Sequence, residues 1–187
     1  WDYVENSPGD DFKEKYVRPR VENLDFIEYD QKISASESVG EIRPFVGVDN
    51  WGIGATNTPA AWLKNQRGQG VLVAVVDSGV DINHTQLRNQ IAFNTGEAGD
   101  KANNGVDDDG NGYIDDYAGF NLLTDTNDVT DDVGHGTHVS GIIAAEHHDT
   151  TRMTGYVQGV APSAKIIVVK SLAKGGGSLS AALKGID

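Results

Sequence analysis

The sequence predicts an α/β fold: an open, mostly parallel sheet with helices on both faces, of which this chain holds only a part. Three observations predict it. Gly70-Val-Leu-Val-Ala-Val-Val-Asp77 and Ala164-Lys-Ile-Ile-Val-Val-Lys170 are short β-branched runs of the kind that form strands buried on both faces. Between them, Val139, Ile142, Ile143 and Ala145 recur at helical spacing across 135–146. Strands alternating with a helix give a parallel sheet, in which chemistry gathers at the carboxyl ends of the strands, and Asp77 stands at such an end.

Taken in order, residues 1–45 are polar and charge-dense (Glu5-Asn-Ser-Pro-Gly-Asp-Asp11) with little periodicity. They read as an N-terminal extension or pro-segment remnant, because they offer few apolar side chains to bury. Residues 46–187 read as the folded unit. Within it, Asn57-Thr-Pro-Ala-Ala-Trp-Leu63 predicts a short helix with Thr58 as N-cap and Pro59 at the first helical position. Residues 117–123 predict a weaker strand, and Ser180 to Asp187 a further helix. The start at Trp1, with no basic segment followed by an apolar one, and the end within a helical pattern lead us to expect a piece of a longer, processed polypeptide.

Composition narrows the partners. In 187 residues, 28 Asp and Glu face 15 Lys and Arg, a formal net charge of −13. Such a chain repels phosphate backbones and anionic lipid, which argues against nucleic acid and membrane surfaces. No apolar run approaches the ~20 residues of a membrane-spanning helix. Without cysteine there is no disulfide, thiol nucleophile or cysteine metal site.

Asp77, followed by Ser78-Gly79, could be a turn cap, and His135 a structural histidine at a helix start. Together they say more. A buried carboxylate on one imidazole nitrogen fixes the tautomer and stabilises the imidazolium, so that the other nitrogen can serve as a general base. Gly134 and Gly136 leave His135 unobstructed at the amino end of its helix.

Val73-Ala-Val-Val-Asp-Ser-Gly-Val-Asp81 resembles the aspartate motif of the subtilisin-like serine proteases (subtilases), and Gly134-His-Gly-Thr-His-Val-Ser-Gly-Ile142 resembles their histidine motif. Gly159-Val-Ala-Pro-Ser-Ala164 is similar to the segment that follows in the same family. The resemblance runs from about Trp51 to Asp187. It implies a subtilisin-like fold, with 46–187 as the N-terminal portion of the catalytic domain, Asp77 as orienting acid and His135 as general base. The family's nucleophile lies in a downstream Gly-Thr-Ser-Met-Ala motif, after an Asn that supplies an oxyanion donor. Neither occurs here, and this chain alone is expected to be inactive.

Gly175, Gly176, Gly177 and Ser178 resemble the segment that pairs backbone to backbone with substrate in that family. Small residues let another chain approach and add a strand; the other reading is a flexible loop before a helix. A separate pattern lies in Asp107-Asp-Asp-Gly-Asn-Gly-Tyr-Ile-Asp115. It places Asp107, Asp109, Asn111, the Tyr113 carbonyl and Asp115 at positions 1, 3, 5, 7 and 9 of a calcium loop, with Gly112 at the turn. Position 12 is Ala118, so another carboxylate such as Asp116 must complete it. So many carboxylates repel one another unless a cation neutralises them, and no nearby histidine favours zinc. Asp125 to Asp132 reads as either a second cation site or a solvated turn. His138, His147 and His148 read as surface or packing residues.

The expectation is therefore the amino-terminal portion of a secreted, calcium-stabilised serine endopeptidase. Its C-terminal remainder would bring the nucleophilic serine, and its substrate would be a polypeptide. Residues 1–45 read as either a leftover pro-segment or a structural arm; in a zymogen they, or what precedes them, would occupy the substrate cleft. The rival is a catalytically inactive subtilase-like pseudo-protease or calcium-binding interaction module.

Overall fold

The computed structural model describes residues 32–34, 51–146 and 157–186. Apart from residues 32–34, the predicted extension lies outside the described residues, as do His147 and His148.

The described residues form two sheets. In the parallel one, β2 (Leu72–Asp77) pairs with β4 (Lys165–Lys170), which also pairs with β3 (Phe120–Asn121). The β2–β4 register aligns Val73 with Ile166, Val75 with Val168 and Asp77 with Lys170. The small antiparallel sheet has the order β1 (Lys32–Ile33), β6 (Gly176–Ser178), β5 (Leu172–Ala173). Four short helices complete the described part: α1 (Trp51–Ala55), α2 (Thr58–Trp62), α3 (His135–Ala144) and α4 (Leu179–Lys184).

The α/β class predicted from the sequence is what forms. Period 2 puts Val73, Val75 and Asp77 on the face of β2 that α3 covers, matched across the register by Ile166, Val168 and Lys170. The core is built there, from Val75, Val80, Leu87, Ile91, Val129, Ala144, Ile166 and Val168. Burying each large aliphatic side chain contributes roughly 1.5–3 kcal/mol. The opposite face carries Leu72, 60% exposed, and Ile167. Burial on both faces, predicted for these runs, holds only near the strand ends, where Gly185 behind α4 lies against Val76, Val169 and Leu122.

The local differences have local causes. The N-cap of α2 is Asn57, in the left-handed region at φ 54°, and Thr58 lies inside the helix, buried, with its hydroxyl 2.6 Å from that of Thr56. Strand β3 is only two residues long because Asn121 turns the chain. Its Nδ2 donates to the Asp128 carbonyl and its Oδ1 accepts from the Leu123 amide. Helix α1 carries two glycines in five residues, weak helix formers that no periodicity advertises. At the C-terminal end of α3 the carbonyls of Ile142, Ile143 and Ala145 accept from the amides of Val160, Ala161 and Gly159. That return path needs glycine at 159, where a Cβ would stand 2.5 Å from the Ala144 nitrogen. No described helix is long and apolar enough to cross a membrane.

Candidate active site

The end of strand β2 meets the start of helix α3. Asp77 is the last residue of β2, held in register by the Ser171 amide donating to its carbonyl at 2.8 Å. His135 is the first residue of α3. The imidazole Nδ1 lies 2.8 Å from both Oδ1 and Oδ2 of Asp77, with the two side chains 26% and 13% exposed. Oδ1 also accepts from the Ser78 amide at 2.7 Å. An ionised carboxylate accepts on both oxygens, so this geometry keeps a proton on Nδ1 and leaves Nε2 as the basic nitrogen.

What brings the two together is a second set of contacts just behind them. The Ser78 hydroxyl accepts from the Gly136 amide at 2.9 Å and donates to Asp131 Oδ1 at 2.8 Å. Asp131 in turn accepts from the amides of Val133, Gly134 and Thr137 and from the Thr137 hydroxyl. Asp131 thus satisfies amides at the start of α3, as a capping carboxylate does, while Ser78 ties that start to the residue after Asp77. Burial pushes the Asp131 carboxyl up, but the Thr137 hydroxyl and amide, the Gly134 amide and the Ser78 hydroxyl together bring it below its ordinary 3.8. A lowered folded-state value means stabilisation that is complete above 3.8 and is lost as pH falls through the folded value.

Close approach explains Gly136. A Cβ there would stand 2.1 Å from the Gly79 carbonyl oxygen and 3.3 Å from Asp77 Cβ. Gly136→Ala is therefore expected to push α3 off β2, at a cost of about 1–3 kcal/mol. Thermal unfolding measures the cost, and loss of the downfield Nδ1 proton resonance of His135 reports the broken contact.

The Asp125–Asp132 run, read as cation site or solvated turn, is mainly a bonding hub. Besides Asp131, Asp128 accepts from the Thr130 amide, and Asp132 lies 2.6 Å from the ammonium of Lys170.

Of the predicted calcium-loop residues, Asp107 and Asp109 fall into one cluster with Glu97, their ligand oxygens all within 4.8 Å of one another. Asp107 accepts from the amides of Gly110, Asn111 and Gly112, and the Gly112 bond foremost holds its carboxyl below the ordinary value. Asn111 Oδ1 accepts from the Tyr113 amide, and its Nδ2 donates to Asp116. The Asp115 carboxylate turns to the amides of Asn104 and Gly105, and the Tyr113 ring packs against Phe120. Glu97 was not foreseen. It lies ten residues upstream in a 3₁₀ turn, 0% exposed, with Oε1 accepting from the amides of Asp108 and Asp109. Its Oε2 is buried with no hydrogen-bond partner among the described residues. An all-oxygen, carboxylate-rich set with one buried oxygen left over fits a hard cation. No motif spacing could have announced it, since its place depends on how the turn folds onto the loop.

Of the residues predicted to pair with substrate, Gly175 lies in the turn before a strand and the other three form it. Gly176, Gly177 and Ser178 are β6, bonded on one side to β5. The other side is taken by this chain itself: Lys32 pairs with Ser178 and Ile33 with Gly177, antiparallel. Ser178 additionally caps α4, its hydroxyl accepting from the Ala181 amide at 3.1 Å.

Comparison with known proteins agrees with this architecture. The profile of the Subtilase family, Peptidase S8, matches residues 68–187. Subtilisin-like protease 1 of Plasmodium berghei (strain Anka) is 43% identical over 100 residues, 54% of this chain and 16% of that one. Subtilisin-like protease 3 of Arthroderma otae is 31% identical over 172 residues, 89% of this chain and 33% of that one. The major intracellular serine protease of Bacillus subtilis (strain 168) is 38% identical over 127 residues, 68% of this chain and 32% of that one. The matched segment is thus a third or less of each of these relatives. With a matching profile across most of its length and both motifs meeting in space, the chain belongs to the subtilase family.

Proposed function

We propose that this chain is the part of a subtilisin-type serine endopeptidase that carries the acid and the base of an Asp-His-Ser triad. The observation that carries the reading is the contact of His135 Nδ1 with both carboxylate oxygens of Asp77 at 2.8 Å, made where a strand end meets a helix start. In this reading His135 Nε2 removes the proton of a serine hydroxyl as that oxygen attacks the substrate carbonyl. The same nitrogen then returns the proton to the departing amine. Asp77 stays ionised and stabilises the imidazolium between the two transfers. The serine, and the Asn oxyanion donor, belong to polypeptide following residue 187. The relatives, each at least three times the length of its matched segment, support such a remainder.

The test is labelling of the complete protease with a fluorophosphonate. We expect one serine downstream of this segment to react, and His135→Ala to abolish the reaction. A complete, folded protein that never reacts would make this a pseudo-protease.

Two further parts belong to the reading. Glu97, Asp107 and Asp109 would hold calcium, with Asn111 and the Tyr113 carbonyl as further ligands assigned by spacing; Asp115, assigned by the same spacing, is instead turned to the Asn104 and Gly105 amides. The leftover buried oxygen of Glu97 supports this. Held by these residues, an ion would neutralise the converging carboxylates and stiffen the loop. A loop of this kind is readily filled where calcium is millimolar, which favours a secreted enzyme.

Residues 1–45 would act as a pro-segment. Support comes from the pairing of Lys32 and Ile33 with β6, which uses the edge a substrate strand would need. A synthetic peptide covering residues 28–38 should then inhibit the mature protease competitively. An unchanged KM at millimolar peptide would argue for a structural arm instead.

A further inference from the structure

We propose that Asp132 is a positioning residue that fastens the peptide-pairing hairpin to the catalytic end of the parallel sheet through a buried lysine. The inference rests on the protease reading above and goes beyond it, since Asp132 and Lys170 belong to neither the acid–base pair nor the calcium loop.

Lys170 ends β4 directly opposite Asp77, and only 6% of it is exposed. A buried ammonium is costly unless each of its three protons finds an acceptor. Here all three do: the Ser78 carbonyl at 2.8 Å, the Thr130 carbonyl at 2.8 Å and Asp132 Oδ1 at 2.6 Å. The first acceptor follows Asp77; the other two lie on the segment leading to His135. One side chain therefore joins the approaches to both members of the catalytic pair.

Asp132 extends that junction outward. While Oδ1 takes Lys170, Oδ2 accepts from the Lys174 amide at 3.0 Å. Lys174 sits in the turn between β5 and β6, the hairpin whose outer edge the substrate or the N-terminal segment would occupy. The hairpin has an attachment at its root, where Ser171 donates to the Asp77 carbonyl, and this one at its tip. With glycines at 175, 176 and 177, little side-chain packing is available to hold the tip otherwise. The Lys170 ammonium foremost, and then the Lys174 amide, hold the Asp132 carboxyl below its ordinary value. It is therefore ionised wherever such an enzyme works.

A tip anchor matters only to ligands long enough to reach β6, and this separates it from a general structural role. In the complete protease, Asp132→Ala is expected to lower kcat/KM on an extended tetrapeptide amide about tenfold or more, the loss of one charge-assisted bond. The loss should lie mainly in KM. A single-residue ester, which reaches only the reacting atoms, should change less than about threefold, well under the effect of one such bond. Asp132→Asn offers one acceptor oxygen to two donors, so it cannot hold the Lys170 ammonium and the Lys174 amide together and should restore only part of the activity on the extended substrate. Thermal unfolding is run beside each variant.

Equal losses on both substrates that track the fall in Tm would overturn the proposal, as would unchanged kinetics on the extended one. A wild-type protease inert to fluorophosphonate would sink the protease reading and this inference with it. Reactive wild type with Asp132 variants indistinguishable from it would sink the inference alone.

Discussion

Asp77→Asn in the complete protease is expected to lower kcat about 10⁴-fold, the size typical of a triad that loses its acid. The fold should survive, because the two side chains have nearly the same shape and volume. The carboxamide, however, turns the local chemistry around. Its oxygen can still accept from one donor, and the Ser78 amide at 2.7 Å competes for it. Its NH₂ is then presented to His135 Nδ1, where it stabilises the tautomer with the lone pair on Nδ1 and the proton on Nε2. That tautomer cannot take a proton from a serine. KM should change little, since neither residue lies on the peptide edge. The checks are steady-state kinetics on a peptide substrate and a thermal scan; a variant within tenfold of wild type would remove Asp77 from the role proposed for it.

Removing the cation from the acidic loop is expected to have the largest effect on stability. A ligand held at 1,000 times its Kd stabilises the folded state by about 4 kcal/mol. For a domain of this size that corresponds to a fall in Tm on the order of 10 °C when a chelator replaces calcium. Glu97→Gln tests the site residue by residue. The amide should weaken calcium binding by removing one charge from the ligand set, and should raise the Tm of the calcium-free protein above that of wild type by relieving repulsion with Asp107 and Asp109. Opposite signs in the presence and absence of calcium distinguish a ligand from a structural carboxylate. Identical unfolding curves for wild type in calcium and in chelator would remove calcium from the reading.

The parts legible in the sequence are those whose physics is local. Asp77 shows itself because a β-branched run ends abruptly in a charge, and His135 because glycines flank it at a helix start. The loop from Asp107 to Asp115 shows itself because alternate oxygen side chains around a turn residue form a pattern within nine positions. The parts that were hidden depend on separate segments arriving at one place. Glu97 is an ordinary acidic residue until a turn folds it, fully buried, onto the amides of Asp108 and Asp109. Asp131 and Asp132 look like one acidic run, yet one caps α3 and the other pairs with Lys170.

By itself, then, the sequence determined the α/β class, the strand and helix that bear Asp77 and His135, and the family, because periodicity and motif spacing are properties of the chain alone. Only the tertiary structure decided which carboxylate oxygens converge, that the edge of β6 is taken by Lys32 and Ile33, and that a buried lysine links that hairpin to the approaches of Asp77 and His135. Those outcomes follow from hydrogen-bond and charge satisfaction between segments far apart in sequence, which no local pattern encodes.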